Sequence, residues 1–387
     1  MKLLVVLSRF PYPLEKGDKL RAYNQIRVLS KHFDVYLFAL TDKNTRSSDI
    51  SALQPFCKEI HIEKINAWSK LTNIFLFWLK GLPIQCGYFF RKKAFQALQA
   101  FVNKIHPDKI YCQLVRTAEY VKPLLMDKTI DYQDVLSKGM LRRYQSAPFY
   151  AKPFFKMEYH RLLNYEEQSF HCFDHHSIIT TVDRDLMPIK EKEQIVIVRN
   201  GVDLSKFQYA EQLKEFDLIF TGNMAYAPNV DAAEYLVNQI LPKIKEKFPR
   251  VSLVLCGADP SNRVLALRSP NVFVTGWVDS IADYYAKSKI FIAPMRLGTG
   301  LQNKLLEAMA VQLPCITSSL AGKPLVEVEN KNAVMICNTA DEFADAICKV
   351  LTDNVLYKQL SQNGYRYICD NYDWENVTQP LISILSE

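Results

Sequence analysis

The sequence runs twice through one pattern: a short apolar run, a turn rich in Gly or Pro, and a segment of helix formers. Strands that follow one another through helices must pair in parallel, because a hairpin turn is too short to hold the crossover. In the first round Leu3–Leu7 reads as a strand. Arg9–Asp18 is then a loop with Pro11, Pro13 and Gly17. Lys19–Lys31 is a helix with apolar positions at Leu20, Tyr23, Ile26 and Leu29, and Val35–Leu40 is the next strand. Further strands are expected at Ile110–Val115, Thr129–Tyr132, Ile178–Val182 and Ile195–Val198. The turn Asn200-Gly201-Val202-Asp203 and the polar residues 204–215 close this half. The second round places strands at Leu218–Thr221, Val251–Cys256, Val272–Thr275 and Ile290–Ala293, with a helix over Asp231–Lys247. Gly222, Gly257 and Gly276 stand at strand carboxyl ends, where α/β proteins bind ligands. The expected domains are residues 1–200 and 201–371, with a last amphipathic helix over 372–387 that crosses back to the first.

The stretch from Ala293 to Ala310 is the most pointed part of the second round. Gly298 and Gly300 let backbone approach a ligand, and the free N–H groups at the start of the following helix suit an anion such as phosphate. Lys304 and Glu307 are three apart and share a helix face. A cation and a carboxylate placed there could hold the phosphate and ribose of a nucleotide. A surface ion pair on an ordinary strand–loop–helix joint explains the same residues.

Composition removes several classes. At 387 residues with 49% apolar and 23% charged content the chain is of globular type. Its nine cysteines are dispersed and include no C-x-x-C pair, which points to reduced thiols in a cytosolic compartment and not to a zinc site. The initial apolar run stops at Ser8-Arg9, too early for a secretory signal, and no run approaches the length of a membrane span. The loop after the first strand lacks G-x-G-x-x-G, so a nicotinamide or flavin site is unsupported. No metal is expected: Asp183-Arg184-Asp185 at the start of a helix reads as capping chemistry, and His175-His176, without a third ligand, as surface or hydrogen-bonding groups. Asp131 and Asp134 stand at the expected ligand edge, where capping or turn chemistry accounts for them equally well.

Charge is uneven. Residues 1–200 hold 31 Lys and Arg against 20 Asp and Glu, net +11; the rest hold 17 against 21, net −4. The first half therefore suits an anionic partner. Over residues 64–110 eight Lys and Arg face one acid, Asp108, among many aromatics, and Trp68, Leu71, Phe75, Trp78 and Leu79 fit one helical stripe. Two readings stay open: an anionic membrane surface meets this stripe, or its aromatics are core under a solvated basic face. No RNA- or DNA-binding signature is present, so nucleic acid is not an expected partner.

Five stations in order carry a resemblance: Asn200-Gly201-Val202-Asp203, Phe220-Thr221-Gly222-Asn223-Met224, Leu255-Cys256-Gly257, Thr275-Gly276-Trp277-Val278-Asp279, and Gly300-Leu301-Gln302-Asn303-Lys304-Leu305-Leu306-Glu307 through Ala310. The chain resembles the retaining nucleotide-sugar glycosyltransferases of group 1 (family 4), and within them the exopolysaccharide and PEP-CTERM-associated sugar transferases. The likeness is specific over residues 200–322. It implies a GT-B fold, two Rossmann-like α/β domains facing each other across a cleft. It also implies transfer of a sugar from a nucleotide diphosphate to a glycan or lipid-linked acceptor in bacterial surface polysaccharide synthesis. The enzyme would be cytoplasmic or peripheral on the inner membrane face, and would need no cofactor beyond the donor. Carried onto this chain, the resemblance has Glu307 bind the ribose. Gly298, Gly300, Leu301 and Gln302 receive diphosphate or sugar oxygens, with Gly222 and Asn223 beside them. Gly276 and Val278 hold the base through backbone, and Gly17 lets the first loop reach the sugar or phosphate.

The chain departs from that pattern in three places. Thr299 stands where E-x7-E would put its first Glu. Residues 224–229 carry no Arg or Lys to clamp the diphosphate, so Lys304 with Arg296 is expected to supply that charge. The first-domain strand end that often bears His is Cys112-Gln113, which puts Gln113 in the site with no protein nucleophile. The rival readings are a nucleotide-sugar epimerase of the same architecture and a non-catalytic protein that binds a nucleotide sugar or a membrane.

Overall fold

The computed structural model describes the chain outside residues 15, 43, 66, 208–211, 299–300, 326–327 and 329–330, and outside the side chains of residues 67–71 and 146. It divides into two compact units, residues 1–199 with 378–387 and residues 200–377. Each is a parallel sheet with crossover helices.

In unit 1 the strands are β1 (Lys2–Leu7), β2 (Asp34–Thr41), β3 (Glu59–Lys64), β4 (Lys109–Gln113), β5 (Asp127–Asp131), β6 (His175–Ile178) and β7 (Val196–Ile197), in the order β3-β2-β1-β4-β5-β6-β7. Chain order reverses between β1 and β4, so their carboxyl ends open a crevice between diverging loops. Strand β3 was not expected from the sequence. Its Glu-Ile-His-Ile-Glu-Lys alternation is that of a half-covered edge strand, and none of its residues is fully buried.

Two expectations in this unit need correction. The strand expected at Ile178–Val182 ends at Ile178, and Thr181–Leu186 is helical. Thr180 is the N-cap, its hydroxyl accepting the Asp183 N–H and donating to the Asp183 carboxylate, so the D-x-D is a capping device. The second concerns His176, of whose two readings the hydrogen-bonding one holds: it is buried in β6, not at the surface, with its Nδ1 3.4 Å from the Tyr132 hydroxyl. Its ring stacks on Phe170 with centroids 4.0 Å apart, and burial pushes its pKa down to about 4, so it is neutral at physiological pH.

In unit 2 the strands are β8 (Phe216–Thr221), β9 (Leu253–Cys256), β10 (Val272–Val274), β11 (Ser288–Ala293), β12 (Cys315–Thr317) and β13 (Met335–Ile336), in the order β10-β9-β8-β11-β12-β13. The order reverses between β8 and β11. These two strands are apolar and buried along most of their length because helices cover both sheet faces. The helix expected over Asp231–Lys247 starts earlier, at Ala227 with Pro228 in its first turn. It loosens to a π-type segment over Leu236–Ile240 just before Pro242, whose ring nitrogen has no hydrogen to donate.

The carboxyl ends of β8 and β9 touch backbone to backbone. The Gly222 N–H donates to the Cys256 carbonyl at 3.1 Å, and a Cβ on Gly257 would collide with the Gly222 carbonyl oxygen. Gly257 also has φ +146°, which side chains rarely adopt. Gly257→Ala is therefore expected to destabilise unit 2 by about 2–4 kcal/mol. Denaturant unfolding followed by tryptophan fluorescence measures this, and an unchanged midpoint would refute the steric account.

Candidate active site

Strand β11 delivers its loop to the switch point. The Ala293 carbonyl accepts from Thr317 Oγ1 at 3.0 Å and from the Ser318 N–H at 3.2 Å, while Ser318 Oγ donates to the Met295 carbonyl at 2.6 Å. The end of β12 thus pins the start of the loop. Beyond it the chain passes Pro228, whose Cβ lies 3.6 Å from where a Gly298 Cβ would stand. Gln302 is the N-cap of the helix Asn303–Ala310, and Leu301 packs on the unit 2 core. Thr299 and Gly300, expected in the donor site, lie outside the described residues. Arg296 is engaged with Asp231, its Nε and Nη2 donating at 3.1 and 2.7 Å, and it covers the Tyr235 ring at 4.3 Å. Its charge is met on the protein.

Lys304 is placed differently. Its ammonium reaches back across the switch point to the end of β8, donating to the Asn229 Oδ1 at 2.6 Å and lying 4.5 Å from the Phe220 ring centroid. A Cβ on Gly222 would sit 3.1 Å from Nζ and 2.6 Å from Asn229 Nδ2, so only glycine leaves room. Asn229 is itself fixed, its Nδ2 donating to the Asn223 carbonyl at 2.9 Å. The β8 loop, which has no cation of its own, receives one from the helix after β11. Loss of hydration pushes Lys304 down to about 7, with Glu307 opposing the shift. Glu307 is pushed up to about 7, again chiefly by burial.

Tyr285 connects the pair and was not singled out in the sequence. It is fully buried, and its hydroxyl lies 2.8 Å from Thr221 Oγ1 and 3.2 Å from both the Lys304 carbonyl and Glu307 Oε2. Burial and the nearby Glu307 hold its pKa well above the ordinary value, so it stays a donor and aims the carboxylate. Only its burial opposite two strand ends singles it out, and a sequence does not reveal that. At the edge beyond β9, Gly276 takes φ +76°, Val278 packs on the core and Trp277 is exposed. Among the described residues no three His, Cys, Asp or Glu side chains gather as a metal site would need.

Gln113 and Gly17 belong to unit 1. Gln113 ends β4 and is buried; its Nε2 donates to Gln25 Oε1 at 2.6 Å, and its Oε1 accepts from Gln133 at 3.1 Å. It borders a small recess with Ser8, Arg9, Asp18 and Lys19, so a ligand there would meet one edge of an amide already committed to neighbours. Gly17 starts the helix Gly17–Leu29, and among the described residues, its chain neighbours and the helix backbone aside, no atom lies within 4 Å of where its Cβ would be. Asp131 ends β5 and keeps the turn chemistry expected of it, its Oδ1 accepting the Gln133 N–H at 3.4 Å, but it is also fully buried against Arg21 Nε at 2.7 Å, with the Tyr111 hydroxyl 3.0 Å away.

Residues 215–353 match the family described as glycosyl transferases group 1. With the glycosyltransferases to which the chain is similar, this match makes the protein an enzyme of the transferase class. The chain is similar to an uncharacterized 44.6 kDa protein in the cps region of Klebsiella pneumoniae, 22% identical over 395 residues and 97% of each chain. It is also similar to the UDP-Gal:alpha-D-GlcNAc-diphosphoundecaprenol alpha-1,3-galactosyltransferase of Escherichia coli. There the identity is 27% over 187 residues, 42% of this chain and 46% of that one, so this match spans about half of the relative. In fold it is similar to Anabaena Alr3699/HepE, solved in complex with UDP, at a TM-score of 0.69 and 12% identity over the whole of both chains. The architecture is GT-B.

The shift on Lys304 fixes the sign of a pH effect. Its ammonium is lost as pH rises through about 7, so affinity for a nucleoside diphosphate is expected to fall about 10- to 50-fold from pH 7 to pH 9. In Lys304→Gln the affinity should be low and nearly flat over that range. Isothermal calorimetry in matched buffers measures both, and equal slopes in the two proteins would remove Lys304 from the anion site.

Proposed function

We propose that this glycosyltransferase moves a sugar, with retention, from a nucleotide-diphosphate donor to a glycan or lipid-linked acceptor in the assembly of a bacterial surface polysaccharide. One observation carries the reading: a desolvated ammonium, Lys304, held against Gly222 and Asn229 at the switch point, one helical turn before Glu307. Breaking the sugar–diphosphate bond leaves negative charge on the departing phosphate. A cation and the N–H groups of the first helical turn, set in place beforehand, stabilise that charge. Glu307, aimed by Tyr285, accepts hydrogen bonds from the ribose hydroxyls, and the backbone at Gly276 and Val278 borders the base. The acceptor hydroxyl enters on the face that the diphosphate leaves, which preserves the anomeric configuration without a protein nucleophile.

Support for the donor class comes from the UDP bound to the Anabaena neighbour. The cps region named for the Klebsiella relative and the diphosphoundecaprenol-linked sugar named for the Escherichia coli enzyme support the acceptor class. An acceptor on a lipid diphosphate would be met from the cytoplasmic side of the membrane.

A thermal-shift screen over uridine, guanosine and adenosine diphosphates and their sugars tests the donor. One diphosphate is expected to raise the melting temperature, since a ligand bound only to the folded state stabilises it. Its sugar should release the diphosphate slowly without acceptor. Glu307→Gln should weaken that diphosphate by about 10- to 100-fold, the worth of hydrogen bonds to a charged group. No shift with any nucleotide and no release would contradict the reading.

A further inference from the structure

The helix Ala67–Leu79 turns part of its apolar surface outward. Phe77 faces in, buried against the close-packed Gly87, whereas Phe75, Leu76, Trp78 and Leu79 are 58%, 50%, 41% and 59% exposed. The expected stripe is thus split: Phe75, Trp78 and Leu79 lie outside, and the side chains of Trp68 and Leu71 are outside the described residues. A second outward group precedes and opens the helix that carries Arg161, and was not read from the sequence. Phe149 and Tyr150 are 85% and 74% exposed in the turn before the helix Lys152–Phe170, and Phe154 follows in its first turn. Arg161 ties that helix to the first group. It donates to the Trp78 carbonyl at 3.0 Å with its guanidinium 5.7 Å from the Trp78 ring, and it lies two helical turns from Phe154 on the same face.

Charge selects what covers this surface. Residues 64–107 and 135–157, which carry both aromatic groups, contain no Asp or Glu, while they hold seven and five Lys and Arg. The next acid, Glu158, is buried with its carboxylate accepting the Ile84 N–H at 2.7 Å, so it does not offset the charge outside. Lys80 and Lys156 are exposed beside the aromatics. A second copy of the chain would bring like charges together. An anionic bilayer offers apolar depth for the rings and phosphates for the lysines. Among the described residues no helix is long and apolar enough to cross a membrane.

We propose that Phe75, Trp78, Leu79 and the Phe149–Phe154 segment form a docking surface that seats unit 1 on an anionic lipid interface. The inference deepens the lipid-linked acceptor reading above, since it brings the enzyme to the surface that would hold such an acceptor. Flotation of the full chain with vesicles tests it without donor or turnover. The protein is expected to float with phosphatidylglycerol–phosphatidylcholine vesicles, to stay behind with phosphatidylcholine alone, and to be released by salt. Phe75→Ser with Trp78→Ser should lower binding about tenfold or more. Lys80→Glu with Lys156→Glu should lower it comparably, and both variants should keep the wild-type melting temperature. Equal binding to neutral and anionic vesicles, no binding, or variants that bind like wild type would overturn the assignment, as would self-association without lipid that the aromatic substitutions abolish. Vesicle binding that persists in a protein without nucleotide binding would support the surface and count against the transferase reading alone.

Discussion

The contact between the ends of β8 and β9 governs the geometry of unit 2. A methyl group on Gly257 would run into the Gly222 backbone, and one on Gly222 into the Asn229 and Lys304 side chains. The space kept clear above Gly222 is what the Lys304 ammonium enters, and Asn229 closes it from the side. A side chain at 222 would displace both. The cation therefore stands where it does because of two glycines that follow the ends of β8 and β9, and its hydrogen bond goes to the Asn229 amide.

The two units meet the same topological situation in opposite ways. At its switch point unit 1 is filled with polar groups that hydrogen-bond to one another. Arg21 pairs with Asp131, Tyr111 and Gln25 join them, and Gln113 links to Gln25 and Gln133. Removing one partner of such a buried pair costs about 3–5 kcal/mol, so this edge is rigid scaffolding. Unit 2 instead leaves a lysine and a carboxylate desolvated, with pKa values drawn toward each other near 7. A buried cation whose partner is a neutral amide gains most from an arriving anion. In the proposed reaction, that difference gives unit 2 the charged part of the substrate.

Much of this was legible in the sequence. The two rounds of strand and helix, the order of the glycine-ended strands and the Lys304–Glu307 pair follow from local pattern, because parallel sheets buried on both faces leave unbroken apolar runs. What could not be read depends on partners far along the chain. Asn229 and Tyr285 gain their roles from a lysine and a glutamate 75 and 22 residues away. Asp131 is an internal ion pair because Arg21, 110 residues earlier, reaches it. His176 is core because Phe170 turns back on it. Aromatic content likewise says nothing of which ring faces out: Phe77 is buried and Phe75 is not, two residues apart on one helix.

In the proposed complex the Lys304 ammonium and the Glu307 carboxylate receive the diphosphate and ribose of one nucleotide. A crystal structure of the protein grown with uridine diphosphate tests it most directly. A phosphate oxygen is expected about 2.8 Å from Lys304 Nζ, with ribose hydroxyls on the Glu307 carboxylate. A diphosphate seated elsewhere, with Lys304 still held only by Asn229 and Glu307 only by Tyr285, would contradict it.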